Sequence, residues 1–159
     1  MFGFLADMAD SLAMIKKYVF DKKEITFSEL KAAIDANFEG YEKLRMKLLC
    51  DPEKYGNNRE LPDSIAVDMS DYMRSIVNGR PGCKVRGGDW CMGFHVARQS
   101  YTQASHTATS PNGRLIGEEL SKNCSASMGQ NREGATAAIL SVTKLKAHTF
   151  GCDVPLDLG

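Results

Sequence analysis

The chain has 159 residues, of which 43% are apolar and 25% are charged, with 20 basic and 20 acidic side chains. These proportions are typical of one globular domain with a sizeable core, and they exclude a collagenous or disordered chain. Because the charges balance, there is no electrostatic reason to expect nucleic acid or an acidic membrane surface as a partner.

Cysteine usage and the amino-terminal segment indicate where the protein works. The five cysteines, at positions 50, 83, 91, 124 and 152, are odd in number and irregularly spaced, which argues against a secreted disulfide framework. The apolar start is interrupted by Asp7 and Asp10, so it does not resemble a signal peptide, and no run approaches the roughly 20 apolar residues of a membrane span. We expect a cytoplasmic protein with no membrane partner.

The first half of the chain predicts helices. Apolar residues recur at steps of three and four in the first of them: Leu5, Met8, Leu12, Ile15 and Val19. Thr26 and Glu29 have the spacing of a capping box, which predicts the start of a second helix. A third helix is expected from about residue 41 to just before Pro52, and a fourth from Pro62 to the turn NGRPG.

The second half differs in character. Residues 90–97 are aromatic and β-branched and predict a buried strand, whose hydrogen-bonding partners we expect near residues 150–156. The stretch EGATAAILSVTKL predicts a helix with Ala135, Ile139 and Val142 facing inward. The stretch of residues 109–142 begins with a long loop rich in Gly, Ser and Asn and ends in this helix. Such long loops are usually functional or tightly packed.

Four motifs, in order, resemble those of the pyruvate formate-lyase-like glycyl radical enzymes: DPEKYGNN, VDMSDYM, TSPNGR and SASMGQNREGATAAILSVTKL. The resemblance implies an α/β fold, a ten-stranded barrel with two finger loops, one carrying a thiyl-forming cysteine and the other a radical-storing glycine. It implies that residues 1–159 are part of this barrel domain. Residues 1–79 would form a helical layer, and residues 80–159 one or two barrel strands, the long loop and a helix.

The family's cysteine-loop and glycine-loop motifs have no counterpart in these 159 residues. The pairs Gly82-Cys83 and Gly151-Cys152 lie at the wrong places relative to the matched motifs, so we expect no catalytic residue in this chain. We expect a fragment of the enzyme that is inactive alone and binds no cofactor. We also expect its long loop and its strand to pack against barrel and finger-loop elements that the chain does not contain.

The resemblance implies thiyl-radical hydrogen abstraction from a small-molecule substrate, followed by cleavage of a C–C, C–O or C–N bond. It further implies a glycyl radical installed by a radical-SAM activating enzyme, and a homodimer for the full-length enzyme. Residues 121–127 depart from the form associated with pyruvate formate-lyase proper, which favours a dehydratase or lyase. The alternatives are pyruvate formate-lyase itself and, from another class, a helical binding module without catalysis built from residues 1–79.

The motif SPNGR contains the candidate site residues. Pro111 suits the first central position of a tight turn, and Gly113 follows Asn112. Arg114 can then brace the loop through its fork of N–H donors, or it can bind a substrate carboxylate. We favour the bracing role.

Cysteine and histidine side chains in the second half also raise the question of a zinc site: Cys83, Cys91, His95, His106 and Cys124. Structural zinc sites typically use two closely spaced ligand pairs, and this set does not have them. We therefore predict separate thiols and histidines and no metal.

Overall fold

The computed structural model describes residues 3–82, 85, 87–96 and 98–158. In this part of the chain the α-helices are α1 (Leu5–Ile15), α2 (Phe27–Asp35), α3 (Glu42–Leu49), α4 (Glu60–Val77), α5 (Gln99–Thr102) and α6 (Gly134–Lys144). A π-helical segment, Lys16–Asp21, continues α1, and short 3-10 turns follow α5 and α6. No helix in the described ranges combines the length and apolarity needed to cross a bilayer.

Helix α1 is confirmed, but its buried face differs from the predicted one. Leu5, Ala9 and Ala13 are fully buried, whereas Met8 and Leu12 remain about two-fifths exposed. Alanines permit close contact between α1 and α4, so Ala9 and Ala13 face the core together with Leu5, and Met8 and Leu12 do not. The aspartates of the same helix, at positions 7 and 10, are buried as well.

Helices α2 and α3 form a hydrophobic cluster with the end of α1, separate from the larger cluster around α4. The predicted capping box opens α2: the Glu29 N–H donates to Thr26 Oγ1, and the Thr26 N–H donates to the Glu29 carboxylate. The buried apolar members of the cluster are Ala13, Met14, Tyr18, Leu30, Ala33, Phe38 and Leu48. Helix α1 thus contributes to this cluster and to the larger one that surrounds α4.

Helix α6 is also confirmed, but it is rotated from the predicted orientation. Ala135 and Ile139 are exposed, and Ala138, Ser141 and Val142 are buried. The Ser141 hydroxyl donates to the Asp63 carboxylate of α4 at 3.0 Å. A buried polar contact therefore sets the rotation of α6, and apolar periodicity does not detect such a contact.

The predicted strand at residues 90–97 is not confirmed as a barrel strand. Ala97 lies outside the described residues, and in the described part of this segment there is no regular β-ladder. The Phe94 N–H donates to the Asp153 carbonyl at 2.7 Å, so a partner does lie within residues 150–156. Pro81 and Asp89 form an isolated antiparallel bridge just before the segment.

Asparagine side chains accept two N–H groups of this segment that would pair with a neighbouring strand in a sheet. The Met92 N–H donates to Asn78 Oδ1 and the Val96 N–H to Asn123 Oδ1, both at 2.8 Å. Buried backbone donors need a partner, and asparagine amides satisfy these two donors without a ladder.

Candidate functional site

The long loop packs against the chain's own first half. Its buried polar side chains are Thr109, Asn112, Arg114, Ser121, Asn123, Ser125, Ser127 and Gln130. Several of them supply hydrogen bonds to α1 and to the loop before α4. The abundance of Ser and Asn in this loop therefore reflects the polar groups that it has to satisfy.

Asp7 is the centre of the first set of contacts. The Asp7 N–H lies in the first turn of α1, where a helix offers it no backbone acceptor. It donates to Ser121 Oγ at 3.3 Å, and the Ser121 N–H donates back to Asp7 Oδ2 at 2.6 Å. The Asn112 amide and the Ser127 hydroxyl donate to Asp7 Oδ1 at 3.0 and 2.9 Å. A loop residue distant in sequence thus performs the capping that the residue before α1 does not provide.

Asp10 is fully buried one turn further along α1. It accepts the Tyr55 N–H at 2.7 Å and lies 3.4 Å from the Ser127 hydroxyl. Burial raises the pKa of Asp10 to about 7, and the positive charge of Lys54 opposes this shift. The Asp10 carboxyl can therefore gain or lose a proton near neutral pH.

Lys54 is 1% exposed, and its ammonium donates to the Asn112 carbonyl at 3.1 Å. None of the ion pairs among the described residues includes this ammonium. Burial lowers the pKa of Lys54, although Asp10 acts in the opposite direction. The two groups form a buried acid and base without direct contact.

Asn57, in the YGNN motif, ties the loop before α4 to the start of α6. Its Nδ2 donates to the Gln130 carbonyl at 2.7 Å, and its Oδ1 accepts the N–H groups of Arg132 and Glu133 at 2.9 and 3.0 Å. An asparagine suits this position because its side chain both donates and accepts.

Arg114 is 4% exposed. Its guanidinium donates to four backbone carbonyls, those of Thr107, Ala108, Leu115 and Glu118. These carbonyls belong to the two segments that flank the turn, so the side chain holds the segments together.

The turn itself begins at Ser110, whose carbonyl accepts the Gly113 N–H at 3.0 Å, with Pro111 at the first central position. Gly113 has φ 97°, and a Cβ added there would lie 2.9 Å from the Cβ of Leu49 in α3. The glycine therefore permits both the turn and its close approach to α3.

A cavity of about 320 Å³ lies over this network. Its lining includes Asp7, Asp10, Arg45, Lys54, Asn112, Arg114, Glu118, Ser127 and Gln130. Two buried atoms of the lining, Arg114 Nε and Gln130 Oε1, have no hydrogen-bond partner in the described part of the chain. The cavity thus offers donors and acceptors to a small polar molecule.

Sequence reasoning missed Asp7, Asp10 and Lys54 as members of this site. The signal was the pair of aspartates three residues apart in an otherwise apolar helix, because charged groups are almost never buried without partners.

The other predicted candidates lie elsewhere or outside the described residues. Cys124 is buried, and burial raises the pKa of its thiol to about 12, so it is not a nucleophile at neutral pH. Cys152 is exposed and does not line the cavity, and Cys83 lies outside the described residues. In the ranges that the structure describes, no three His, Cys, Asp or Glu side chains are grouped so as to hold a metal ion.

Comparison with known proteins identifies relatives. A family model described as pyruvate formate lyase-like matches residues 2–102. The chain is 38% identical over 143 residues to an isethionate sulfite-lyase of Desulfovibrio desulfuricans and 34% identical over 141 residues to a trans-4-hydroxy-L-proline dehydratase of Clostridioides difficile. These matches cover 86% and 89% of this chain but only 16% and 18% of the relatives, so the chain spans less than a fifth of their length.

Solved structures give the same result for the fold. The hydroxyproline dehydratase of Clostridioides difficile, with trans-4-hydroxy-L-proline bound, superposes with a TM-score of 0.83 at 34% identity, over 89% of this chain and 18% of that one. The B12-independent glycerol dehydratase of Clostridium butyricum superposes with a TM-score of 0.87 at 31% identity, over 97% and 19%.

Proposed function

The chain belongs to the pyruvate formate-lyase-like family of glycyl radical enzymes, and we propose that it forms part of the barrel domain of a member with dehydratase or lyase activity. The observation that supports this subclass is that relatives at least 30% identical to the chain are named a sulfite-lyase and a dehydratase. In the proposed reaction a thiyl radical abstracts hydrogen from a small substrate, and a C–O, C–N, C–S or C–C bond is then cleaved. The runner-up is pyruvate formate-lyase proper.

The chain's own part in this function is structural. The contacts of Asp7 and Asp10 with the long loop join the two halves of the chain, and Arg114 braces the turn within that loop. Four backbone carbonyls occupy the guanidinium of Arg114, which favours bracing over binding of a substrate carboxylate. A binding module made of residues 1–79 alone is disfavoured, because residues from the second half cover the buried carboxylates of α1.

The radical chemistry belongs to other residues of the enzyme. The 159 residues have no counterpart of the family's cysteine-loop or glycine-loop motifs. We therefore propose that the chain has no activity by itself and binds no cofactor. The enzyme would act as a cytoplasmic homodimer, with its glycyl radical installed by a radical-SAM activating enzyme.

An activation experiment on the purified chain tests the proposal that the chain has no activity by itself. The chain is incubated anaerobically with a radical-SAM activating enzyme, reductant and S-adenosylmethionine, and the EPR spectrum is recorded. We expect no glycyl doublet from the chain, and a doublet assigned to it would overturn the proposal of inactivity.

A substrate panel tests the subclass. The full-length enzyme that contains these residues is expressed anaerobically with its activating enzyme and given glycerol, propane-1,2-diol, trans-4-hydroxyproline, choline and isethionate, each in parallel with pyruvate plus coenzyme A. We expect turnover of one of the first five. Formation of formate from pyruvate, with no turnover of the others, would establish the runner-up instead.

A further inference from the structure

Two exposed thiols lie against each other outside the buried polar site. Cys91 and Cys152 are 61 residues apart in sequence, and their Sγ atoms are 2.6 Å apart. Both are free thiols on the surface. An S–S bond is about 2.05 Å long, so only a small movement separates this contact from a covalent bond.

The backbone around the pair makes the contact possible. A Cβ added at Gly151 would lie 2.5 Å from the Cβ of Cys91, and one added at Gly93 would lie 2.5 Å from the Cβ of Cys152. Each cysteine thus packs against a glycine of the opposite segment. The hydrogen bond from the Phe94 N–H to the Asp153 carbonyl holds the same two segments together.

We propose that Cys91 and Cys152 are a redox modification site, at which a reversible disulfide joins the segment before α5 to the segment after α6. This proposal does not depend on the function of the enzyme. It requires only a dithiol in the reduced chain and a small disulfide such as oxidised glutathione as the oxidant.

The reaction proceeds by two thiol–disulfide exchanges. The thiolate of one cysteine attacks oxidised glutathione, forms a mixed disulfide and releases one glutathione thiolate. The thiolate of the other cysteine then attacks the protein sulfur of the mixed disulfide and releases the second glutathione. The two protein thiols lose two protons and two electrons, and the oxidant is reduced to two glutathione molecules.

The structure also distinguishes this pair from the other cysteines. Cys124 is fully buried, and its thiol donates to the Pro155 carbonyl at 2.6 Å. Cys50 is exposed, and no contact with another sulfur involves it in the described residues. The thiol of Cys152 has a raised pKa, chiefly because it shares a hydrogen bond with Cys91, so the exchange should become faster as the pH rises.

Disulfide mapping tests the proposal. The reduced 159-residue chain is incubated with oxidised glutathione in native buffer and, separately, in concentrated urea, then alkylated, digested without reduction and analysed by mass spectrometry. In native buffer we expect the Cys91–Cys152 disulfide to exceed any other pair at least tenfold, and dithiothreitol to reverse it. In urea this preference should disappear, because the folded backbone no longer holds the two segments together.

Matched variants provide the control. Cys50→Ser should form the disulfide as readily as the unmodified chain, whereas Cys91→Ser and Cys152→Ser should accumulate a mixed disulfide with glutathione on the remaining cysteine. The same distribution of pairs in native buffer and in urea would overturn the proposal, and so would unchanged free thiols in native buffer.

Discussion

At the scale of single residues, the chain buries ionisable groups and satisfies them mainly with neutral donors and acceptors. Asp7 receives hydrogen bonds from an amide, a hydroxyl and a backbone N–H, and Arg114 donates to carbonyls. Hydrogen bonds to charged groups are roughly twice as strong as neutral ones. Removing a partner from such a set should therefore cost more than removing an exposed ion pair.

Replacing Arg114 with lysine tests the bracing role. An ammonium has three donors and no planar fork, so Arg114→Lys cannot reproduce contacts to four carbonyls on both sides of the turn. We expect the free energy of unfolding, measured by urea denaturation of the chain, to fall by about 3 kcal/mol, because buried carbonyls lose hydrogen bonds from a charged donor.

The matched control is Arg132→Lys. Arg132 is exposed, and its guanidinium also donates to two backbone carbonyls, those of Leu49 and Cys50. This change should cost less than about 1 kcal/mol, because water replaces the lost contacts. Equal losses for the two variants would contradict a special role for Arg114.

Replacing Asp10 with asparagine should change how stability depends on pH. Burial raises the pKa of Asp10 from its usual 3.8 to about 7 in the folded chain. Between pH 4 and pH 7 the folded chain keeps a proton that the unfolded chain has released. The contribution of Asp10 to the free energy of unfolding is therefore fully present below pH 4 and is lost as the pH rises through 7. The full interval corresponds to about 4 kcal/mol.

We expect urea denaturation at several pH values from 4.5 to 7.5 to show a smaller decrease in stability for Asp10→Asn than for the unmodified chain. The exposed Asp68 of α4 provides the control, and Asp68→Asn should keep the original slope. If the two variants have identical slopes, Asp10 is not responsible for the pH dependence.

At the scale of secondary structure elements, local signals predicted where helices lie but not how they pack. The capping box at Thr26 and Glu29 depends on residues three apart, and the structure confirms it. The buried polar positions of α1 and α6 depend instead on the contacts of Asp7 with Ser121 and of Ser141 with Asp63, which are 114 and 78 residues apart. Nothing within one helix specifies such a partner. Apolar periodicity therefore selected Leu5 and Val142 correctly but also selected positions that are exposed, namely Met8, Leu12, Ala135 and Ile139.

Local signals also failed to identify the hydrogen-bond partners of the segment before α5, which was predicted to be a strand. Its composition is typical of a strand, but the side chains of Asn78 and Asn123 accept two of its N–H groups. Strand propensity describes a residue's fit to a pleated surface and cannot identify which group will accept the hydrogen bond. The motifs YGNN and SPNGR were recognisable from the sequence, whereas the carboxylates that they surround were not.

The fit of the SPNGR turn against α3 can be tested with two glycines. Gly113 and Gly117 both have positive φ, 97° and 86°, but only at Gly113 would a new Cβ meet α3. Gly117→Ala should cost about 1 kcal/mol through backbone strain alone. Gly113→Ala should cost about 3 kcal/mol, because strain is joined by the collision with Leu49.

The difference between the two urea midpoints isolates the effect of the close approach. Similar midpoints for Gly113→Ala and Gly117→Ala would show that the turn does not pack tightly on α3.

At the scale of the whole molecule, α1 connects two hydrophobic clusters, and the long loop covers its polar residues. Large apolar side chains remain exposed on the outside, among them Phe20, Tyr72, Trp90, Ile139 and Leu140.

A chimera tests the central claim most directly. The matching segment of the Clostridioides difficile trans-4-hydroxy-L-proline dehydratase is replaced by this chain, which is 34% identical to it, and the chimera keeps the remaining residues of that enzyme. If the chain is a working part of a glycyl radical dehydratase or lyase, the activated chimera should show a glycyl EPR doublet and dehydrate a substrate of the panel. A chimera that does not fold, or one that carries the radical and turns over none of these substrates, would contradict the account.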